Sequence, residues 1–222
     1  MEDRPAETRG ATAENPLASD GRVPGRRGRA TRQRLLEETE NLLGHVPFHD
    51  MKVVDISRGA GTSPATFYQY FADVDAAVLS LIEEMVTNGS DELRALVADP
   101  AWTGPDDAAA LAEGFLRYFD EHAAMLRVLD LATTEGDERF RTLRLRLLNG
   151  VFLALRELTE GAAAEGRLAK GVDPGAAAGI LTTMLAHVSA HQPGFAGWGI
   201  ERGALAQTMA TLIDWTIRSH SR

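Results

Sequence analysis

The chain has 222 residues and no cysteine. Disulfides and thiolate metal sites are therefore excluded. Lysine is almost missing as well: Lys52 and Lys170 are the only two among 23 basic residues. With Ala and Gly abundant, this composition resembles the codon bias of a GC-rich genome. No apolar run is long enough to span a membrane and no signal-peptide pattern is present, so a cytoplasmic location and no membrane partner are expected. Internal repeats are missing, and no segment alternates apolar and polar residues long enough for a half-buried strand.

Catalytic signatures are missing too. There is no G-x-S-x-G, no Walker loop and no H-E-x-x-H. Gly59-x-Gly61 has no preceding strand and reads as a turn rather than a phosphate cradle. Ser63 has no His/Asp partners nearby in sequence. His187 and His191 stand four apart on one helical face, a spacing that can bind a metal, but no third ligand is visible. A pair of histidines at a subunit interface or near the surface explains them better. No enzyme, metal or cofactor is expected.

What is present is an uneven charge distribution. The net charge of −9 looks wrong for a nucleic-acid binder until it is divided along the chain. Residues 1–20 carry two Arg against five Asp/Glu, residues 21–72 eight basic against five acidic, and residues 73–222 thirteen against twenty-two. The positive segment coincides with the stretch VVDISRGAGTSPATFYQYF, Val53 to Phe71.

That stretch reads as two short helices joined by a tight turn. Val53, Val54, Ile56 and Ala60 give the first an apolar face. Gly61 supplies a left-handed turn residue. Ser63 stands as N-cap and Pro64 occupies the first helical position, where its missing N–H costs nothing. Phe67 and Phe71, four apart, anchor the second helix in a core. Ala65, Thr66, Tyr68, Gln69 and Tyr70 are left outside. Small, hydroxyl, amide and phenol groups suit contact with phosphates, base edges and thymine methyls, so the layout is that of a helix-turn-helix. An ordinary helical hairpin would bury the two Phe equally well, but it leaves two exposed tyrosines unexplained.

Upstream, residues 1–25 mix Pro, Gly, Ala and charge without periodicity and read as a disordered tail. Arg22, Arg26, Arg27, Arg29, Arg32 and Arg34 follow within thirteen positions and read as a flexible basic arm gripping phosphates or a minor groove. Thr31 to Leu43 is the first helix, with Gly44 and Pro47 stopping it and Phe48 and Met51 packing under it. Lys52 and Arg58 are further candidate phosphate contacts, with Asp50 an alternative cap for the next helix.

These residues resemble a known family. TFYQYF after a Gly-x-Ser turn, preceded by DISRGAG, looks like the signature of TetR-type transcriptional repressors. The run ENLLGHVPFHDMKVVDISRGAGTSPATFYQYF is most similar to the ethionamide-resistance repressor branch. The specific match covers roughly residues 30 to 80. Three positions depart from the family pattern: Val74 replaces a phosphate-binding lysine, Pro64 a residue that is often basic, and Lys52 a capping Ser or Thr. The Val74 and Pro64 departures shift weight onto the arginines.

The remainder reads as helices at 75–96, loosened at Asn88-Gly89-Ser90, then at about 106–120, 121–133, 138–163, 174–192 and 201–219, with Gln192-Pro193-Gly194 among the separators. The expected fold is all-α: a three-helix helix-turn-helix domain at 26–74 and a larger helical domain at 75–222 for effector binding and dimerisation. Phe115, Phe119, Met125, Leu129, Leu147, Val151 and Phe152 make stripes that either fill a bundle or line an apolar pocket. The resemblance implies a pocket, with Phe115, Phe119, Thr182 and Trp215 at positions matching pocket residues of that branch. Several of its tryptophan and asparagine positions are aliphatic here, so a hydrophobic or amphipathic effector is expected and need not be the same compound. The last two helices are apolar on more than one side. The resemblance makes them half of a four-helix bundle between two subunits, through Leu181, Met184, Leu185, Val188, Leu205, Met209, Leu212 and Ile213. Two recognition helices on one duplex require half-sites about 34–36 Å apart, hence a near-palindromic double-stranded operator. The alternative is a helical small-molecule carrier with a vestigial helix-turn-helix.

Overall fold

The structure, a computed structural model, describes residues 25–97, 102, 104–168 and 170–218. Residues 1–24, including Arg22 and nearly all of the expected tail, lie outside the described residues. Nine α-helices and no strand occur among the described residues. They are α1 (Arg26–Leu43), α2 (Val53–Gly59), α3 (Pro64–Phe67), α4 (Val74–Ala95), α5 (Pro105–Glu121), α6 (Ala123–Thr134), α7 (Glu138–Ala164), α8 (Pro174–Ala196) and α9 (Arg202–Ile217). One 3-10 turn, Phe48–Asp50, joins α1 to α2.

Helices α1 to α3 form a small head around Leu35, Leu36, Ile56, Phe67 and Phe71, all buried. Helix α4 leaves this head and enters the body, where it packs against α7; α7 packs on α8, and α5 on α9. The near half of α4 buries Ala77, Val78, Leu81 and Ile82, and its far half Met85, Val86, Gly89 and Leu93.

Several starts follow the capping rules. Asp73 accepts from the Ala76 N–H at 2.7 Å and Asp173 from the Ala176 N–H at 2.7 Å. Asp137 caps α7 and holds the Arg139 guanidinium. These bonds keep its carboxyl down at about 2, below the usual aspartate range.

Three expectations are corrected. Helix α1 starts at Arg26 rather than Thr31, because arginine is a good helix former and Gly25 supplies the extended N-cap, its carbonyl accepting from the Arg29 N–H at 3.0 Å. Helix α8 runs through Pro193 to Ala196. A proline removes one ladder hydrogen bond, and here three residues beyond it complete the helix before Gly197. Helix α4 is unbroken across Asn88-Gly89-Ser90.

Gly89 is a packing device. A Cβ there would lie 1.8 Å from Tyr118 Oη and 2.6 Å from its Cζ. The phenol of α5 is fully buried in that notch, its hydroxyl without a hydrogen-bond partner. Burial, with the Glu92 charge secondary, pushes its ionisation upward. Gly89→Ala gains roughly 0.8–1 kcal/mol of helix propensity but overpacks a closed contact at about 1–3 kcal/mol. Urea melts should therefore show a net loss of stability, smaller when Tyr118→Phe is also present. A stabilised single variant would disprove this close contact.

Candidate functional site

The turn between α2 and α3 is built as its residues dictate. Gly61 has φ 66°, the left-handed value that favours glycine. The Thr62 N–H donates to the Ser57 carbonyl at 2.8 Å. Ser63 Oγ accepts from the Thr66 N–H at 3.1 Å, with Pro64 following at the first helical position. Phe67 is fully buried and Phe71 nearly so, their rings 5.5 Å apart. This anchoring turns Ser63, Pro64, Ala65, Tyr68 and Gln69 outward as one contiguous surface, with Thr66 half-buried at its edge.

Tyr70 departs from expectation. It is half-buried and packs against the core, because the chain turns after Phe67 and Tyr70 comes round three residues later onto the same side. Val54, expected on the apolar face of α2, is 45% exposed.

The basic residues divide. Arg26, Arg27 and Arg29 are exposed on the first turns of α1, not on a flexible arm. The first turn of α1 holds no acidic residue, although a helix N-terminus disfavours cations. A sequence that breaks a local rule this way is suited to an anion, which both the helix end and the arginines attract. Lys52 is exposed at the start of α2 without a side-chain cap, and the Asp50 alternative is not used. Arg58 is exposed and lies 3.3 Å from Asp55.

Arg32 is different. Its guanidinium donates to Glu84 Oε1 at 2.7 Å and to Ser80 Oγ, both on α4, and lies 5.4 Å from the Phe71 ring centroid. It joins the head to the body, a role that its place in an arginine cluster concealed.

In the body, a shallow recess of about 30 Å³, open to solvent, lies among α5, α6, α7 and α8. Of the residues named from the sequence, Phe119, Leu129 and Leu147 line it, together with Leu126, Leu148, Ala186 and Ala190. Asp130 and Arg144 form an ion pair across it, from α6 to α7. This pair was missed. The available signal was spacing: Asp130 stands four after Leu126 and Arg144 four before Leu148, each at an apolar stripe position. Phe115, Met125 and Val151 are core residues that do not line the recess, and Phe152 is half-buried outside it. The Thr182 hydroxyl donates to the Ala178 carbonyl at 2.8 Å, and Trp215 is 65% exposed, away from the recess.

Helices α8 and α9 sort the expected interface residues into two faces. Leu181, Leu185, Leu205, Met209 and Ile213 are buried within the protomer's own core, so they are not available to a partner. Met184 and Val188 are half-buried, and Leu212 is exposed together with Ile180 and Trp215. Residues apolar on all sides of a helix do not announce which side is inward. The His187 and His191 rings stack at 4.2 Å. Among the described residues no group of three or more His, Asp or Glu is placed to hold a metal, and no helix is long and apolar enough to cross a membrane.

A rigid turn presenting a short outward helix, joined to a larger helical body with an apolar recess, defines a helix-turn-helix regulator. Comparison with known proteins supplies the family. A profile described as bacterial regulatory proteins, tetR family, matches residues 35–76, and one described as tetracyclin repressor-like, C-terminal domain, matches residues 93–221. The chain belongs to the TetR family of transcriptional regulators. It is 34% identical over 94 residues to the HTH-type transcriptional regulator EthR of Mycobacterium tuberculosis, a match spanning 42% of this chain and 44% of that protein. With EthR of Mycolicibacterium smegmatis the identity is 34% over 102 residues, 44% of this chain and 42% of the relative. The fold resembles that of the fatty acid degradation regulator FadR from Bacillus halodurans, with TM-score 0.62 and 18% identity over 87% of this chain and 97% of that one. FadR from Bacillus subtilis in complex with stearoyl-CoA gives TM-score 0.62 and 14% identity over 85% and 99%. These structural likenesses are of fold alone.

Ser63→Ala removes the cap of α3 and should cost about 1 kcal/mol in chemical denaturation. Tyr68→Ala, at a side chain 54% exposed, should cost about 1 kcal/mol or less. A larger loss at Tyr68 than at Ser63 would mean that the phenol is a structural group.

Proposed function

We propose that this chain is a homodimeric repressor whose affinity for a near-palindromic double-stranded operator is modulated by a hydrophobic or amphipathic small molecule in its body. The observation that carries the reading is the outward surface of α3, held rigid by the Ser63 cap and the buried Phe67, beside a basic α1 start whose first turn holds no acidic residue. Tyr68, Gln69, Thr66 and Ala65 face base edges and sugar-phosphate; Ser63, Pro64, Lys52, Arg58, Arg26, Arg27 and Arg29 contact the backbone. Residues 26–74 act as the DNA-binding unit and 75–222 as the effector and dimer unit. Reading DNA and sensing a ligand require no catalysis, and a cytoplasmic location follows from that work.

The dimer forms through the outer faces of α8 and α9, where Ile180, Met184, Leu212 and Trp215 offer apolar surface. The effector enters the recess; the stearoyl-CoA complex of the Bacillus subtilis neighbour supports an apolar ligand. Two elements carry the change to the head. Helix α4 is joined to it through Arg32, and α6 lines the recess while the residue after it, Glu135, lies 3.9 Å from His49. An effector lowers operator affinity only to the extent that it binds the off-DNA spacing of the two heads more tightly. One observation favours a carrier instead: α4 opens with the uncharged Val74 between Asp73 and Asp75, whose carboxylates repel phosphate.

The test is fluorescence anisotropy against DNA flanking the gene, over a salt series. Selective binding with a steep salt slope is expected. Tyr68→Ala should weaken selectivity, whereas Arg26→Ala with Arg27→Ala should weaken all binding and flatten the slope. Ile180→Asp with Trp215→Asp should give a monomer by light scattering and lose operator affinity. Absence of selective binding there and in a random-site selection would favour the carrier.

A further inference from the structure

Helix α8 runs for 23 residues without an Asp, Glu, Lys or Arg. Its only ionisable side chains are His187 and His191, and both are exposed. Helical periodicity puts them on the same outer stripe as Ile180 and Met184. The outer side of α9 is uncharged as well: Ala204, Gln207, Thr208, Leu212 and Trp215 are the exposed residues there. A face so poor in charge suits burial against a protein, because interface cores are depleted of charged residues. Such burial desolvates two imidazoles per chain and offers them no carboxylate.

The two histidines are arranged as ligands are. Positions four apart lie on one side of a helix, and the rings stack with centroids 4.2 Å apart. Two nitrogens held by a tetrahedral zinc ion at about 2.0–2.1 Å lie about 3.4 Å from each other. Rings already this close reach that spacing by side-chain rotation alone. His191 Nδ1 lies 3.0 Å from the His187 carbonyl oxygen. A carbonyl only accepts, so Nδ1 carries the proton and Nε2 the lone pair. A carbonyl that takes one ring N–H while the other nitrogen binds is the usual outer partner of a metal-ligating histidine. The Arg202 guanidinium, bonded to the adjacent Gln192, is matched by Glu113 and Asp120 and adds no net positive charge.

One chain supplies two ligands, and among the described residues no third His, Asp or Glu joins them. A second copy meeting the same face supplies the other two. We propose that His187 and His191 of two copies of this chain together bind one divalent transition-metal ion and lock the α8 face of the dimer. Four imidazoles favour a zinc-like ion over magnesium or calcium. This rests on the reading of α8 and α9 as the dimer face and adds a ligand to it. Because the ion holds two copies at once, free metal tightens the dimer as the site fills.

Zinc titration of the full, tag-free chain, first stripped with EDTA and dialysed, tests it. Calorimetry should give one ion per two chains. Sedimentation over a dilution series, with urea added where the metal-free dimer resists dilution, should show the dimer tightened roughly tenfold or more by saturating Zn²⁺. EDTA should reverse the effect and Mg²⁺ should not produce it. His187→Ala and His191→Ala should each remove both responses and leave the metal-free dimer and its thermal melt unchanged, since both side chains are exposed. One ion per single chain, no zinc binding, or an undiminished response in either variant would overturn the proposal. A dimer indifferent to zinc would overturn it and leave the dimer reading standing. A chain that is monomeric with and without zinc would overturn both.

Discussion

One partly buried cation joins the DNA-facing head to the rest of the molecule. Arg32 leaves α1, crosses the edge of Phe71 and ends on Ser80 and Glu84 of α4. A charged hydrogen bond of this kind contributes about 1.5–3 kcal/mol, and removing either partner strands the other. Its consequence is geometric. The cap at Ser63 and the buried Phe67 hold α3 rigid within the head, and the α1–α4 contact, with a smaller α1–α6 contact, holds the head on the body. Any change of spacing between two heads has to be expressed through α4, or through α6 where it meets the head at His49.

The body is built to transmit rather than absorb such a change. Helix α4 crosses α5 with Gly89 and Tyr118 in direct apposition, so movement of one displaces the other. Helices α6 and α7 share both the recess and the Asp130–Arg144 pair. Packing at interior density makes such contacts discrete alternatives rather than continuous deformations.

The helix-turn-helix was legible in the sequence because local chemistry sets it: a glycine needing positive φ, a serine cap, a proline at the first helical position and two phenylalanines four apart. Helix positions in the body were legible within a few residues for the same reason. Four matters were not. Tyr70 turned inward because the helix ended early, and the cooperative choice between one more helical turn and a tight bend is not local. Arg26, Arg27 and Arg29 were read as an arm because glycines punctuate them, yet helix propensity won. Leu181, Leu185, Leu205, Met209 and Ile213 were assigned to a partner because α8 and α9 are apolar on several sides, and periodicity carries no information about which side faces inward. The ion pair in the recess was hidden because its members come from different helices: spacing marks each as a stripe position, but no spacing rule pairs one with the other.

The central claim is that two copies of this chain present two α3 surfaces to one face of a duplex. Hydroxyl-radical footprinting on an operator recovered by selection tests it most directly. The account predicts two protected segments related by an approximate dyad, on the same face of the DNA and separated by about 34–36 Å or a multiple of it. A single protected segment without dyad symmetry, or two segments on opposite faces, would contradict it.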